Sequence, residues 1–207
     1  MLSQNNMETY LGMVFGDRQG TFLEIGAWDG QIISQTAWFE KNKGWKGLCV
    51  DPFPRNFEKR TCKVCSMAIS KDGQPREFVK VTIDRRYGGD VSYFSGFRDS
   101  LTEHWDLIHD HCDYTIVTVP TITMASLYKT YKLPSHIDFL SVDVEGAEAE
   151  VLMNIDWTIW SYGMICFENN LNEQLRLGID AMLRAHGYIP YMQLRIDSIY
   201  VNDNFQP

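Results

Sequence analysis

Short apolar segments with the pattern of β-strands alternate with helical segments along most of this chain. TFLEIGAWDG gives a strand at 21–25 that runs into two glycines, and QIISQTAWFEKNKG continues it as a helix closed by Gly44. WKGLCVDPFP repeats the pattern with a strand at 46–50 that ends in Asp51, and a short helical segment follows at 56–60. Strands that alternate with helices predict a parallel, doubly wound sheet with helices on both faces.

Most of the remaining segments continue this alternation of strands and helices, and one segment interrupts it. The predicted elements are a helix at 8–16, a strand in CKVCSMAIS, an edge strand after a turn at 72–73, a strand in TIVTVPTIT, a helix at 124–131, a strand at 137–142, a helix at 147–155, a strand in SYGMICFENN, a helix in NEQLRLGIDAMLRAHG and a closing hairpin in YIPYMQLRIDSIYVN. Residues 84–115 lack a clear period, and a stretch of that length in a small domain is usually functional or mobile. We therefore predict one α/β domain over residues 1–207: a Rossmann-like, mostly parallel sheet with a C-terminal antiparallel hairpin and an insertion or lid at about 84–115.

Length and charge exclude several classes of partner. The chain has 207 residues, enough for one well-buried core, and a formal net charge of −8. Nucleic acid is not expected as a partner, because its electrostatic attraction needs clustered lysine and arginine. The apolar runs are short, the N-terminus lacks the form of a signal peptide, and the five cysteines fit a reducing compartment. We expect a cytoplasmic protein with no membrane partner.

Acidic residues and glycines gather where the predicted strands end. Glu24 lies on the first strand with Gly26 and Gly30 behind it, Asp51 ends the second strand, and Asp143 follows the strand at 137–142. Ligands of doubly wound sheets bind at the carboxyl ends of the strands, where an acid such as Asp51 suits a ribose diol. Glu24 would repel a pyrophosphate, and the glycine pattern is G-x-x-x-G rather than G-x-G-x-x-G. The strand ends therefore favour a cationic ligand with a ribose, such as S-adenosylmethionine, over a dinucleotide.

Six blocks of the sequence together resemble the FkbM-type S-adenosylmethionine-dependent methyltransferases. They are FLEIGAWDG with SQT behind it, GWKGLCVDPFP, SMAIS, VPTITMASL, HIDFLSVDVEGAEAEVL and the acid in CFENN, in the family's order over roughly residues 20–170. The resemblance implies the class I methyltransferase fold and methylation of a hydroxyl on a sugar or other small natural-product-like acceptor. Two positions depart from the family: Trp28 and Asp29 stand where many members have asparagine and another residue, and Asp51 replaces a commoner glutamate.

The resemblance also implies roles for individual residues. Asp51 would hold the ribose, Met67 and Ala68 would lie near the adenine, and Asp143 would contact the cofactor near the transfer site. The residues implied around the methionine part of the cofactor are Glu24, Gly26 and Gly30, with Ala27 and Asp29 as further contacts in the same turn. Asp143 and Glu145 are the candidate catalytic residues.

Several of these acids also have a structural explanation. Asp29 is suited to cap the next helix, and Glu145 to accept hydrogen bonds from backbone amides of its own turn. Glu148 and Glu150 fall in the first turn of a helix, where the dipole favours negative charge. We expect Glu150 to point to solvent.

Three groups of side chains suggest metal ligands by their types and spacing. Asp143, Glu168 and Asn169 end two strands and offer three oxygen ligands to Mg²⁺, as the acid-amide pair of some catechol-type methyltransferases does. The alternative is that Asn169 and Asn170 only turn the chain. The other two groups are the pair Cys62 and Cys65, expected to be structural thiols, and a loop group expected to form a solvated or substrate-facing helix, namely His104, His109, His111 and Cys112.

The insertion is rich in aromatic side chains, which suit either a core or a lid over a ring-shaped acceptor: Tyr87, Tyr93, Phe94, Phe97 and Trp105. We predict a methyltransferase that moves CH₃ from S-adenosylmethionine to an oxygen of a small-molecule or carbohydrate acceptor. Asp143 would assist through a metal or a direct hydrogen bond. Two other classes stay open: a hydrolase built on the carboxylates of Asp143 and Glu145, and a protein that binds the cofactor without catalysis.

Overall fold

The computed structural model describes residues 7–102, 104–169 and 173–205. The helices in these ranges are α1 (Met7–Phe15), α2 (Ala37–Lys43), α3 (Trp105–His111), α4 (Met124–Tyr131), α5 (Glu148–Met153) and α6 (Glu173–Ala185). The strands are β1 (Thr21–Ile25), β2 (Lys46–Val50), β3 (Lys63–Cys65), β4 (Ala68–Ile69), β5 (Arg76–Asp84), β6 (Gly89–Asp90), β7 (Gly96–Phe97), β8 (Cys112–Val119), β9 (Thr121–Ile122), β10 (His136–Val142), β11 (Ser161–Glu168), β12 (Tyr188–Leu194) and β13 (Asp197–Asn202). None of the described helices combines the length and apolar character of a membrane span.

The main sheet has the strand order β3-β2-β1-β10-β11-β13-β12. The first five of these strands are parallel, whereas β13 is antiparallel to both β11 and β12. The predicted mixed α/β fold with a mostly parallel sheet is confirmed, and the C-terminal hairpin is β12 and β13. Because β1 is flanked by β2 on one side and β10 on the other, the crevice used by ligands opens at the carboxyl ends of these strands.

Helices cover both faces of the main sheet. Leu23 and Leu140 pack in the core beneath α4, α5 and α6, whereas Phe22 and Phe139 pack against α1 and α2. This division follows from the two-residue period of a strand, which points neighbouring side chains to opposite faces. Glu24 lies two residues after Phe22 and is therefore directed to the α1 and α2 face, where its partners are found.

The segment that follows β1 differs from its prediction. The helix was expected directly behind the glycines, but α2 begins only at Ala37. The buried carboxylate of Glu24 accepts hydrogen bonds from Ser34 Oγ at 2.9 Å, the backbone amide of Gln35 at 2.8 Å and Thr36 Oγ1 at 2.5 Å. Because these bonds tie residues 34–36 to β1, the helix cannot start before them.

The insertion is more regular than the sequence indicated. β5 pairs along its length with β8 and, on its other side, with β6 and β7, forming a second, antiparallel sheet. Ile108 of α3 packs against Val79 and Val81 of β5. β5 is thus an inner strand, and the prediction of an edge strand is wrong, because β8 pairs with one side of β5 while β6 and β7 pair with the other. CKVCSMAIS likewise forms two strands rather than one, since β4 leaves the main sheet to pair with β9.

Candidate functional site

A cavity of about 940 Å³ opens at the carboxyl ends of β1, β2 and β10. The predicted site residues that line it are Gly26, Asp51, Met67, Ala68, Asp143, Glu145 and Glu168. The insertion provides the facing wall, which includes Tyr93, Phe94, Phe97 and His104. A cavity of this size, lying between the sheet and the insertion, has room for a nucleoside-sized ligand and a second small molecule.

Asp51 is fixed at the end of β2 by two backbone amides. Its Oδ2 accepts a hydrogen bond from Trp28 N at 2.9 Å, and its Oδ1 accepts one from Phe53 N at 2.7 Å. Burial raises the pKa of Asp51 to about 6, although these two bonds and the charge of Arg55 act to lower it. Each carboxylate oxygen has a second lone pair, so the side chain still has two acceptor positions for hydroxyl groups.

Gly26 follows β1 at a point where the backbones of two strand ends touch. Its φ is 84°, and a Cβ at this residue would lie 1.5 Å from the backbone oxygen of Asp143. Gly26 N also donates to Val50 O at 2.9 Å. The glycine is therefore required by the approach of β10 to β1, in addition to any ligand beside it.

Four residues expected at the cofactor do not line the cavity, and each has another partner. Glu24 binds residues 34–36, and Ala27 is packed in the core on the α1 and α2 face. Asp29 Oδ1 accepts from the amides of Gln31 and Ile32, both at 2.8 Å, so it caps the turn at 29–32 rather than α2. Gly30 packs against the ring of Phe57, which a Cβ would meet at 2.6 Å.

Arg60 binds the segment that follows the two glycines, at Ser34 and Thr36, and does not line the cavity. The sequence patterns did not identify this residue. Its guanidinium donates to Glu40 Oε2 at 2.7 Å, to Ser34 Oγ at 3.1 Å and to Thr36 Oγ1 at 2.9 Å. It also lies 3.9 Å from Glu24 Oε2, and its side chain is 4% exposed. The only sequence signal was an arginine shortly after an apolar strand, which is common on protein surfaces.

Three acids meet at the floor of the cavity. One oxygen each from Asp143, Glu145 and Glu168 lies within 4.8 Å of the others, the one such group of potential metal ligands among the described residues. Burial raises the pKa of Asp143 well above its usual range, and the charge of Glu168 adds to this. Burial similarly raises the pKa of Glu145, and it raises that of Glu168 to about 8 against a hydrogen bond with Asp143 that lowers it. Such shifts are typical of functional sites.

The family model described as Methyltransferase FkbM domain matches residues 24–190 of this chain. The chain belongs to the FkbM methyltransferase family. The match runs from the end of β1 to the beginning of β12 and includes every residue that lines the cavity except Ile196. No curated protein matches the chain, and no solved structure matches it. The resemblance found in the sequence motifs is thereby confirmed, and the domain is a methyltransferase domain.

The turn after β10 of this FkbM domain distributes its acids differently from the sequence expectation. Glu148, rather than Glu145, accepts the turn amides: Val144 N at 3.0 Å and Gly146 N at 3.1 Å. Glu145 has a φ of 56°, a conformation that few non-glycine residues adopt, and its side chain faces the cavity. The expectation that Glu150 points to solvent is wrong, because its carboxylate binds Arg76 at 3.0 Å.

Asn169 was predicted as a Mg²⁺ ligand together with Asp143 and Glu168, and its side-chain amide nitrogen is engaged with the C-terminal hairpin. Its Nδ2 donates to Ser198 Oγ at 2.5 Å, and its backbone amide donates to Ile196 O at 2.8 Å, so it joins β11 to the C-terminal hairpin. Glu145, predicted from the sequence as a catalytic residue, brings a third carboxyl group beside Asp143 and Glu168. Asn170 lies outside the described residues.

The cysteines and histidines do not form the groups that their spacing suggested. Cys65 packs in the core under α4, whereas Cys62 lies on the other face with its Sγ 3.6 Å from that of Cys49. His104 contacts Glu145, and His109 bonds to the exposed Asp110 at 2.9 Å.

The aromatic side chains of the insertion divide into two sets. Tyr93, Phe94 and Phe97 line the cavity, whereas Tyr87 is 81% exposed and Trp105 packs on Tyr114.

Proposed function

We propose that this protein is an S-adenosylmethionine-dependent O-methyltransferase acting on a hydroxyl of a small carbohydrate-like or natural-product-like acceptor. The observation that carries the proposal is one cavity in which Asp51, Gly26 and the acids near Asp143 lie at three adjacent strand ends. Membership of the FkbM family supports methyl transfer. The strand order of the main sheet, with one antiparallel strand inserted beside β11, supports the class I methyltransferase fold.

The donor set of the cavity fits the chemical groups of this cofactor. Asp51 offers two acceptor positions to the ribose hydroxyls, and Met67 with Ala68 gives an apolar wall for the adenine. The buried carboxylates at the floor suit the positive charges of the ammonium and sulfonium groups. When bound, the cofactor supplies an electrophilic methyl group.

The residues of the chain then need to orient the acceptor and remove its proton. In the proposed transfer, the acceptor oxygen forms a bond to the methyl carbon, the carbon–sulfur bond breaks with its electron pair going to sulfur, and the hydroxyl proton passes to solvent water. Binding of both molecules in the one cavity between the sheet and the insertion would hold the oxygen in line with the methyl group, and such positioning supplies most of the rate. Asp143 and Glu145 line the cavity together with Tyr93, Phe94 and Phe97. In this proposal the two acids hydrogen-bond the hydroxyl and the three rings pack against the acceptor.

The binding of S-adenosylhomocysteine tests the cofactor site directly. Asp51→Asn keeps the size of the side chain but removes its charge, so we expect the dissociation constant measured by calorimetry to rise on the order of 100-fold, as for the loss of charged hydrogen bonds. Asp203→Asn, an exposed change outside the cavity, serves as the control and should bind like the natural chain. Equal affinity in both variants would refute the assignment of Asp51.

Acid should weaken the same complex. Because the pKa of Asp51 is about 6 in the free protein, the carboxylate is mostly ionised at neutral pH and mostly protonated at pH 5, where it accepts hydroxyl hydrogen bonds less well. We expect affinity for S-adenosylhomocysteine to fall about tenfold between neutral pH and pH 5. The matching profile of Asp51→Asn separates this residue from the other acids of the cavity. Parallel profiles for the two proteins would contradict the prediction.

Methyl transfer itself needs a separate assay. Single-turnover reactions with labelled S-adenosylmethionine and a panel of glycans and hydroxylated metabolites should give a methyl ether product. Tight binding of S-adenosylhomocysteine with no transfer to any acceptor of the panel would favour a cofactor-binding protein without catalysis. Absence of binding would favour a different reaction, such as hydrolysis by the carboxylates.

A further inference from the structure

Two neighbouring strands, β10 and β11, and the turn that follows β10 bring three carboxyl groups together at the floor of the cavity. Val142 of β10 is in register with Phe167 of β11, so the next residues, Asp143 and Glu168, lie side by side. Glu145 reaches the same point from the turn. One oxygen from each side chain lies within 4.8 Å of the others.

Two oxygens of this group are buried without a hydrogen-bond donor. Glu145 is 8% exposed and Glu168 is 6% exposed, and the Oε2 atom of each has no hydrogen-bond partner among the described residues. The amides of the turn do not serve them, because Val144 N and Gly146 N donate to Glu148. Buried carboxylate oxygens of this kind are costly unless a ligand compensates them.

The side chains of the protein do not supply enough positive charge. Within the described ranges, His104 is the one basic residue with a nitrogen within 4.0 Å of these carboxylates, at 3.5 Å from Glu145 Oε2. The remaining positions of the chain contain no lysine, arginine or histidine. The three acids therefore form a buried group of carboxyl oxygens that a compact cation would stabilise in the ionised form, displacing their protons as it binds.

We propose that Asp143, Glu145 and Glu168 bind one hard divalent cation of the Mg²⁺, Mn²⁺ and Ca²⁺ class. Two oxygens on opposite sides of such an ion lie about 4 to 5 Å apart, given metal–oxygen bonds of about 2.0 to 2.6 Å. The spacing of up to 4.8 Å within the group matches this range. All three ligands are carboxylate oxygens, which favour hard cations over zinc or copper.

The position of the ion in the cavity gives it a role toward the acceptor. Three protein oxygens leave about three of six coordination positions open to water or to an acceptor oxygen. An ion held there would bind the acceptor hydroxyl, lower its pKa and thereby favour release of the proton to solvent before methyl transfer. This role rests on the proposed function, whereas binding of the ion does not.

Titration of the metal-free protein with Mn²⁺ tests the site. After treatment with EDTA and its removal, the signal of free Mn²⁺ in electron paramagnetic resonance should show one ion bound per chain, with a dissociation constant below about 1 mM. Mg²⁺ should displace the bound Mn²⁺. Glu145→Gln and Glu168→Gln should each weaken binding at least about tenfold, because each removes one charged ligand. Glu58→Gln, an exposed change of the same type, should leave binding unchanged.

Two further measurements, thermal unfolding and cofactor binding, separate loss of the metal site from loss of the fold or of the cofactor site. In EDTA the two amide variants should melt at the same temperature as the natural chain or higher, since each relieves repulsion in a crowded group. If one variant does not fold, the other gives the same test. The proposal is overturned if the natural chain binds no Mn²⁺ below millimolar concentration, or if both variants bind it as tightly as the natural chain. Binding of S-adenosylhomocysteine in EDTA, measured alongside, shows whether the proposed function fails independently.

Discussion

Replacement of Gly26 by alanine should lower the free energy of unfolding by at least about 4 kcal/mol, or prevent folding altogether. The new Cβ would lie 1.5 Å from the backbone oxygen of Asp143, and the φ of 84° is itself unfavourable for alanine. The obstacle is backbone rather than a flexible side chain, so relief requires β1 and β10 to separate. Both strands lie in the centre of the main sheet, and their separation would open the core on both faces.

Gly12→Ala is the matched control. Gly12 lies within α1, and a Cβ there meets nothing within 4 Å, so the same substitution should stabilise the protein by up to about 1 kcal/mol. Urea denaturation followed by circular dichroism compares the two variants with the natural chain. Two changes of equal effect, or a Gly26→Ala protein that unfolds at the natural urea concentration, would show that the strand ends are not in contact as described.

The prediction about Gly26 illustrates what the sequence can and cannot specify. The sequence pattern, a glycine directly after an apolar strand, correctly marked Gly26 as a position that needs glycine. The expected reason for the glycine was room for a ligand. The structure gives a second reason, contact with the backbone at Asp143, which is 117 residues away. A local sequence pattern indicates that this position needs a glycine. It does not show which atom excludes a side chain, because that atom belongs to another strand and the pattern carries no information about strand pairing.

The same distinction separates the elements that were predicted well from those that were not. α4 was predicted at its observed bounds, because its apolar residues recur with the helical period and Thr123 caps it. The second sheet was missed because β5 and β8 pair across an insertion, so neither strand carries local evidence of its partner. The delayed start of α2 was missed for a related reason, since it depends on bonds between Glu24 and residues 34–36.

The acids of the cavity show a further limit of prediction from sequence. From the sequence, Glu145 and Glu148 are equally suitable as acceptors of hydrogen bonds from the turn amides. Only the conformation of the turn determines which of the two accepts them. Because Glu145 has a positive φ, its side chain is directed to the cavity, while Glu148 reaches back to the amides. The position of Glu145 beside Asp143 and Glu168 follows from this conformation.

Arg60→Met should lower the free energy of unfolding by about 3 to 5 kcal/mol, because it leaves two buried carboxylates without their cation. The partners are Glu40, at 2.7 Å, and Glu24, at 3.9 Å, and all three side chains are at most 5% exposed. Urea denaturation measures the loss. Arg98→Met is the control, since the ion pair of Arg98 with Glu77 is more than half exposed and should contribute less than about 1 kcal/mol.

Arg60 should also affect the cofactor, although it does not line the cavity. Arg60 lies in the segment that follows β2, and its guanidinium binds Ser34 and Thr36, which follow the turn that contains Gly26 and Gly30. Arg60→Lys keeps the charge but lacks the planar set of donors, so it can satisfy Glu40 without also holding both hydroxyls. We therefore expect Arg60→Lys to retain most of the stability lost in Arg60→Met, yet to bind S-adenosylhomocysteine several-fold more weakly than the natural chain. If Arg60→Lys binds with full affinity, charge compensation alone accounts for Arg60, and the glycine turn is held by Glu24.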